Sequence, residues 1–453
     1  MPPSFTAERG TGVDQIEAKT MKKVMWRLLP LLMGCYVASF LDRVNIGFAG
    51  LEMNGTLGLS SAAFGLGAGL FFLPYFLLEV PSNLALNRFG ARLWIARIMI
   101  TWGIISGAFA FIAPIASALG TSNRAVFYGL RFLLGAAEAG FFPGIIFFLT
   151  LWFPAAYRAR VIALFMLAIP ISAIIGSPLS GLLMSIQTAS LKGWQWLFII
   201  EAAPSVILGL CVIFMLVDRP TYAGKWLSQD ERDWLTNRLE SEKHLGGLTE
   251  HGSIMQALRN GRVLTCAFIY FALNAGAYGL YFFLPTIVKS FGVSNFQTGL
   301  LAALPFVFGG IGMVLLSRNS DRTLKRRVHL CTAIFIAAAG VIGAGLSSSP
   351  VAMLAFLCFG MIGVSSMPPL FWPVPSSFLT GTQAAAGIAA INAIGSLSGF
   401  VGPYYLGFVK DLTGGFSAGL VSLGCCAVAS GIAALLLRMP AEPPTNQGPV
   451  TTH

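Results

Sequence analysis

The chain has 453 residues, 56% of them hydrophobic and only 10% charged, against about 25% charged in a soluble domain. That composition excludes a water-soluble enzyme or binding module and points to a protein that lives in lipid. The net charge of +11 would suit a nucleic-acid binder, but its distribution decides otherwise. Of 29 Lys and Arg, Arg124, Lys192, Lys289 and Lys410 lie near one membrane face, and Arg43 and Arg131 lie inside apolar spans. The other 23 fall in the N-terminus, the even-numbered connections and the tail. This bias follows the positive-inside rule and places both termini in the cytoplasm, with no nucleic-acid partner.

In chain order, the opening stretch MPPSFTAERGTGVDQIEAKT is polar, without the apolar core of a signal peptide, so no cleaved leader is expected. Residues 1–25 form a cytoplasmic segment. Apolar runs long enough to cross a hydrocarbon core of about 30 Å then recur twelve times. They lie at roughly 26–50, 62–86, 93–118, 125–153, 160–187, 194–217, 262–290, 297–317, 328–347, 350–379, 384–409 and 415–438. Runs this long and unalternating are helices, because lipid leaves backbone polar groups to be satisfied within the segment. The predicted fold is an all-α membrane protein of twelve transmembrane helices in two six-helix bundles related by pseudo-two-fold symmetry. The bundles cover 26–217 and 259–438, joined by a cytoplasmic linker at 218–258 and followed by a tail at 439–453.

Internal repetition supports the halving. NRFGAR (Asn87–Arg92) follows the second span and SDRTLKRR (Ser320–Arg327) follows the eighth, both short basic connections with a polar residue directly before Arg. GSPLSG in the fifth span (Gly176, Pro178, Gly181) matches GPYYLG in the eleventh (Gly402, Pro403, Gly407). Paired Gly and Pro permit close helix contact and bending, and two repeats rocking about a midplane site are transporter architecture. In the linker, Ser228 and Glu231 have capping-box spacing, and Trp234, Leu235 and Leu239 form an apolar stripe. A short amphipathic helix is predicted there, bracing the two halves.

Charges inside the membrane cost about 2.5–3.5 kcal/mol each on insertion scales, so they face a cavity or a partner. Here they are confined to the first half: Asp42 and Arg43 in span 1, Glu79 in span 2, Arg131 and Glu138 in span 4, and Glu201 in span 6. Arg131 and Glu138 are seven residues apart, about 10.5 Å along a helix, so they share a face without neutralising each other. Arg131 must find an anion elsewhere, and Glu138 a cation or a proton. The alternative is a structural ion network. Asp42 and Arg43 point about 100° apart, and one or both face a cavity. Glu79 is expected to pair with Arg88 or Arg92 at the inner gate, and Glu201 is read as structural. The second half offers Asn274, Tyr278, Tyr281, Ser365, Ser366, Trp372, Asn392 and Ser396 to read the rest of a substrate. A guanidinium stays charged and binds carboxylate bidentately, which suits it to holding an organic anion. The seven cysteines and four histidines show no metal or catalytic spacing, so no enzyme, metal or cofactor is expected.

The 6+6 layout, FLDRVNIGFA in span 1, EVPSN in span 2, RFLLGAAEAGFFPG in span 4 and GWQWLFIIEAAPS in span 6 resemble the major facilitator superfamily, from about residue 22 to 438. More narrowly they resemble its anion:cation symporter branch of bacterial permeases for tartrate, phthalate, hydroxyphenylacetate, galactonate and aldarates. The resemblance implies proton coupling at Asp42 and Glu138 and anion binding at Arg43 and Arg131, with Tyr75 and Asn392 contacting the organic acid. Asn274, Tyr278 and Trp372 complete the candidate site. Asn87 stands where the superfamily commonly has Asp, so gating falls to Glu79, Arg88, Arg92, Asp321 and Arg322. The implied function is import of a small organic carboxylate by alternating access, coupled to protons alone, by a monomer in a bacterial inner membrane. The rival is a proton-driven antiporter or exporter of organic anions or drugs.

Overall fold

A computed structural model describes residues 7–245, 259–379 and 381–437. Twelve helices are long and apolar enough to cross a membrane, from span 1 (Gln15–Leu57) to span 12 (Ser417–Leu436). Span 2 covers Ser61–Phe89, span 3 Ala91–Leu119, span 4 Asn123–Trp152, span 5 Ala155–Leu183 and span 6 Gly193–Met215. Spans 7 to 11 run Gly261–Lys289, Asn295–Thr323, Arg326–Leu346, Pro350–Phe378 and Ala386–Thr413. Spans 1, 2, 3 and 8 extend beyond the apolar windows read from the sequence at both ends, and the others stop within a few residues of them at one end or both. The predicted tail at 439–453 and the linker from 246 to 258 lie outside the described residues.

Several spans are broken at points that matter for the site. Span 2 divides into Ser61–Leu70 and Phe72–Phe89 at Phe71, and span 4 into Asn123–Glu138 and Phe141–Trp152. The break in span 4 needs Gly140, whose φ of +82° is left-handed and whose missing Cβ leaves room for the Ser82 side chain. A helix that would have run straight past Glu138 instead ends on it.

The described residues form two compact units, one of residues 7–245, 277–307 and 399–419, the other of residues 259–276, 308–379, 381–398 and 420–437. In the first unit span 6 packs along span 3, and span 1 packs against spans 5 and 6. The repeated Gly/Pro motifs are where helices meet most closely. Gly181 of span 5 lies against Gly299 and the Asn295 carbonyl of span 8. Gly407 of span 11 lies against the Ser61 carbonyl, and Gly65 of span 2 against the Pro403 carbonyl. Exchanging the halves maps the span 5 and 8 contact onto the span 11 and 2 contact, as the repeat implied. Asp411, at the end of span 11, accepts from the Ser61 and Ala62 backbone N–H groups at 3.0 and 2.7 Å, capping span 2. A carboxylate there satisfies orphan donors and meets the positive helix end.

The linker helix (Gln229–Leu245) forms as its capping box predicts: Ser228 N–H donates to Glu231 Oε2 at 2.9 Å and Glu231 N–H to Ser228 Oγ at 3.3 Å. Leu235 and Leu239 are buried beneath it and Trp234 is half-buried. Glu231 also receives Lys23 Nζ at 2.7 and 2.8 Å, and Glu242 receives the Ala155 N–H and Arg158. These bonds fasten the helix to span 1 and span 5 of the first unit.

In the second unit spans 9 and 10 touch backbone to backbone, with Gly340 against Gly360 and Gly363 against the Ala333 carbonyl. Small residues supply the attraction between helices in lipid by letting backbones approach.

Candidate functional site

The first unit gathers most of the predicted charged residues, in two separate clusters. Span 1 feeds both, because Asp42 and Arg43 leave the helix in different directions.

Arg43 turns toward span 4. Its Nη2 makes a short ion pair with Glu138 Oε1, and Ser39 Oγ, one turn earlier on span 1, donates to the same oxygen at 2.8 Å. Glu138 is 2% exposed, and the Arg43 side chain 12%. Aromatic rings wall the pair: the Arg43 guanidinium lies 5.7 Å from the Phe40 ring, 5.2 Å from Phe71 and 5.4 Å from Tyr75, with Tyr278 beside it. Its Nε is buried with no partner. An unsatisfied charged donor in an aromatic cage is costly unless an acceptor fills it, so this atom marks where a carboxylate can bind.

Among the described residues no carboxylate pairs with Arg131: Nε donates to the Gly67 carbonyl at 3.2 Å and Nη2 to the Ala68 carbonyl at 2.9 Å, just before the break in span 2. The break supplies those carbonyls by ending the helix that would have used them. Phe71 stands between the two arginines, 5.2 Å from each guanidinium, and its own carbonyl abuts Gly135. Phe71 was not legible as a site residue, since one Phe among 36 carries no signal until the helix breaks there.

Asp42 turns toward spans 3 and 6. It accepts from Trp102 Nε1 at 2.9 Å, Ser106 Oγ at 2.8 Å and Ser205 Oγ at 2.6 Å, and is 3% exposed. No cation pairs with it among the described residues. Glu201, four residues before Ser205, accepts from Ser180 Oγ at 2.7 Å.

The expected gate residues are arranged otherwise than predicted. Among the described residues Glu79 pairs with neither Arg88 nor Arg92. Arg88 lies over the Phe89 ring, while the Arg92 backbone N–H donates to Asp218 Oδ1 at 2.8 Å. Asp218, from the start of the linker, fills the space beside Gly90. The second unit carries Asn274, Trp372 and Asn392, all half-buried, and exposed Asp321 and Arg322. There Tyr270 stacks on Phe371 at 5.0 Å and lies 5.1 Å from Trp372. Its ring also packs on Gly395, one turn from Asn392. Tyr270 ties Trp372 of span 10 to Gly395 of span 11, a link that helical spacing within one span does not reveal.

A family model, Major Facilitator Superfamily, matches residues 32–403. The chain belongs to that superfamily. It is a multi-pass membrane transporter and not an enzyme. It is 50% identical over 96% of its length, and 98% of the other's, to a protein of Agrobacterium vitis named "Putative tartrate transporter". It is 42% identical, over 90% of its length and 92% of the other's, to a protein of Acinetobacter baumannii named "Quinolone resistance transporter". In fold it resembles the crystal structure of a bacterial homolog of the human lysosomal transporter Spinster, with a TM-score of 0.72 at 16% identity. That match covers 90% of this chain and 96% of that one.

Proposed function

We propose that the chain is a proton-coupled symporter that imports a small hydroxy-dicarboxylate of the tartrate type across a bacterial inner membrane, with both termini in the cytoplasm. The observation that carries this reading is the Arg43–Glu138 pair, walled by aromatic rings and with a spare Arg43 donor. While Glu138 is ionised it occupies Arg43. A proton on Glu138 removes that competitor, and a substrate carboxylate can then take both Nη2 and Nε of a guanidinium that never loses its charge. Proton and carboxylate together leave the site as neutral as before, which lowers the cost of closing it away from water. Proton and anion are linked through one arginine.

Arg131 extends the positive field beyond Phe71, and Tyr75 and Tyr278 offer hydroxyls beside Arg43. The 50% identity to the Agrobacterium vitis protein favours a tartrate-like acid over the aromatic and sugar acids the sequence left open.

The test is tartrate uptake into proteoliposomes of the purified protein under an imposed inward proton gradient. Uphill accumulation that Glu138→Gln abolishes, while tartrate counterflow persists, is the expected result. Accumulation driven only by an outward gradient would replace the symporter with the exporter reading, to which the Acinetobacter baumannii relative lends weight.

A further inference from the structure

The transport reading makes no use of Glu201, a buried carboxyl of the first unit with one oxygen unpartnered. It is 1% exposed; Oε1 accepts from Ser180, and Oε2 is buried with no partner. Asn45 faces it from span 1, itself 0% exposed and with neither Nδ2 nor Oδ1 partnered. Asp42 and Asn45 are three residues apart on span 1, and Glu201 and Ser205 four apart on span 6. Neighbours at those spacings stand about one turn apart on the same helix face. The Ser205–Asp42 hydrogen bond sets the two stripes in register. Two carboxyls therefore lie about a turn from each other, together with Asn45 and Ser180, in a region no water reaches.

We propose that Glu201 is a proton-binding site: it and Asp42 form a pair that holds one proton, carried on Glu201 Oε2. Among the described residues no Lys, Arg or His pairs with either carboxyl; Arg43, the nearest in sequence, is committed to Glu138. Two like charges this close in a low-dielectric site cannot both persist, so one group binds a proton. The hydrogen bonds choose which. Asp42 has three donors aimed at it, from Trp102, Ser106 and Ser205, and these favour its anion. Glu201 receives one hydrogen bond, from Ser180, and its other oxygen has only the Asn45 amide facing it. A proton on that oxygen turns it into a donor for Asn45 Oδ1, partnering two of the three orphaned atoms with one hydrogen bond. A metal cation in its place is disfavoured because the hydrogens on Trp102, Ser106 and Ser205 already point at Asp42.

The consequence for transport rests on the proton-coupled reading above: the chain would carry two protonatable sites in its first half, one at Glu138 beside the anion and one at the Asp42–Glu201 pair. The proton itself does not depend on that reading. Its test is the infrared spectrum of the purified protein at neutral pH in a maltoside detergent, which has no carbonyl of its own. The expected result is a carboxylic-acid C=O band in the wild type that Glu201→Gln deletes. Absence of the band in the wild type overturns the proposal, as does a band that survives Glu201→Gln. So does a band lost in Glu138→Gln while Glu201 is intact, because the proton then belongs elsewhere. Should Glu201→Gln fail to fold, Asn45→Leu reads the same proton: removing its acceptor moves the band to higher wavenumber, and an unmoved band overturns the assignment. Failure of tartrate uptake alone would sink the transport reading and leave the band untouched, so the two are separable.

Discussion

Asp42 and Arg43 are adjacent in sequence and inhabit different chemistry. Around Arg43 the molecule places one carboxylate, Glu138, and a wall of rings; around Asp42 it places an indole and two hydroxyls, all neutral. A buried charge can be held by an opposite charge or by several oriented dipoles, and this helix uses one solution on each side. Only the first leaves the charge free to change partners, because an ion pair can be broken by one proton whereas three separate donors cannot.

The sharpest way to break this contrast is to remove the anion of each cluster. Glu138→Ala strands the Arg43 guanidinium in an aromatic cage, and loss of one partner of a buried ion pair costs about 3–5 kcal/mol. The largest drop in thermal stability is expected here, and a Tm in detergent near that of the wild type would show that Arg43 reaches water instead. Asp42→Ala strands only neutral donors, at about 1–3 kcal/mol. If it matched or exceeded Glu138→Ala, Asp42 would have an undetected cationic partner.

Two smaller effects concern the ends of the helices. Asp411→Ala removes the cap on span 2, worth about 1 kcal/mol by analogy with other helix caps. A cysteine at Ser61 should then label faster; an unchanged rate would mean the Gly65 and Gly407 contacts close that end by themselves. The mildest concerns Glu231. Burial acts to raise its carboxyl, but the Lys23 hydrogen bond, the Ser228 backbone N–H and the charges of Lys23 and Lys19 outweigh it and hold it below the usual range. A carboxyl depressed by folding adds stability that is present above its unfolded value, about 4.3, and lost as pH falls through the folded value. Proteolysis of the linker helix should therefore accelerate only in acid below about pH 4.3, and Glu231→Gln should show the faster rate already at neutral pH.

How much of this was legible depends on the distance over which each signal acts. The capping box at Ser228 and Glu231 was readable because it lies within one helical turn. The Gly/Pro motifs of spans 5 and 11 announced close contacts, since only small residues allow backbones to meet, but not that their partners would be spans 8 and 2. Arg131 and Glu138 were correctly denied each other by helical rise. Their actual partners, the Gly67 and Ala68 carbonyls and Arg43, required knowing where span 2 breaks and how span 1 turns. Glu201 was read as structural because it lies near the start of its span, whereas Asp42 and Asn45 face it from more than 150 positions away.

The sequence by itself determined that the chain spans a membrane twelve times in two related halves and that charge in the middle of the spans is confined to the first half. Those properties follow from composition and from the cost of charge in lipid, both of which act locally along the chain. The tertiary structure alone decided which charges meet. Helix packing sets the angle at which neighbouring residues leave span 1, and a helix break decides whether a carbonyl is spent inside the helix or left to hold an arginine.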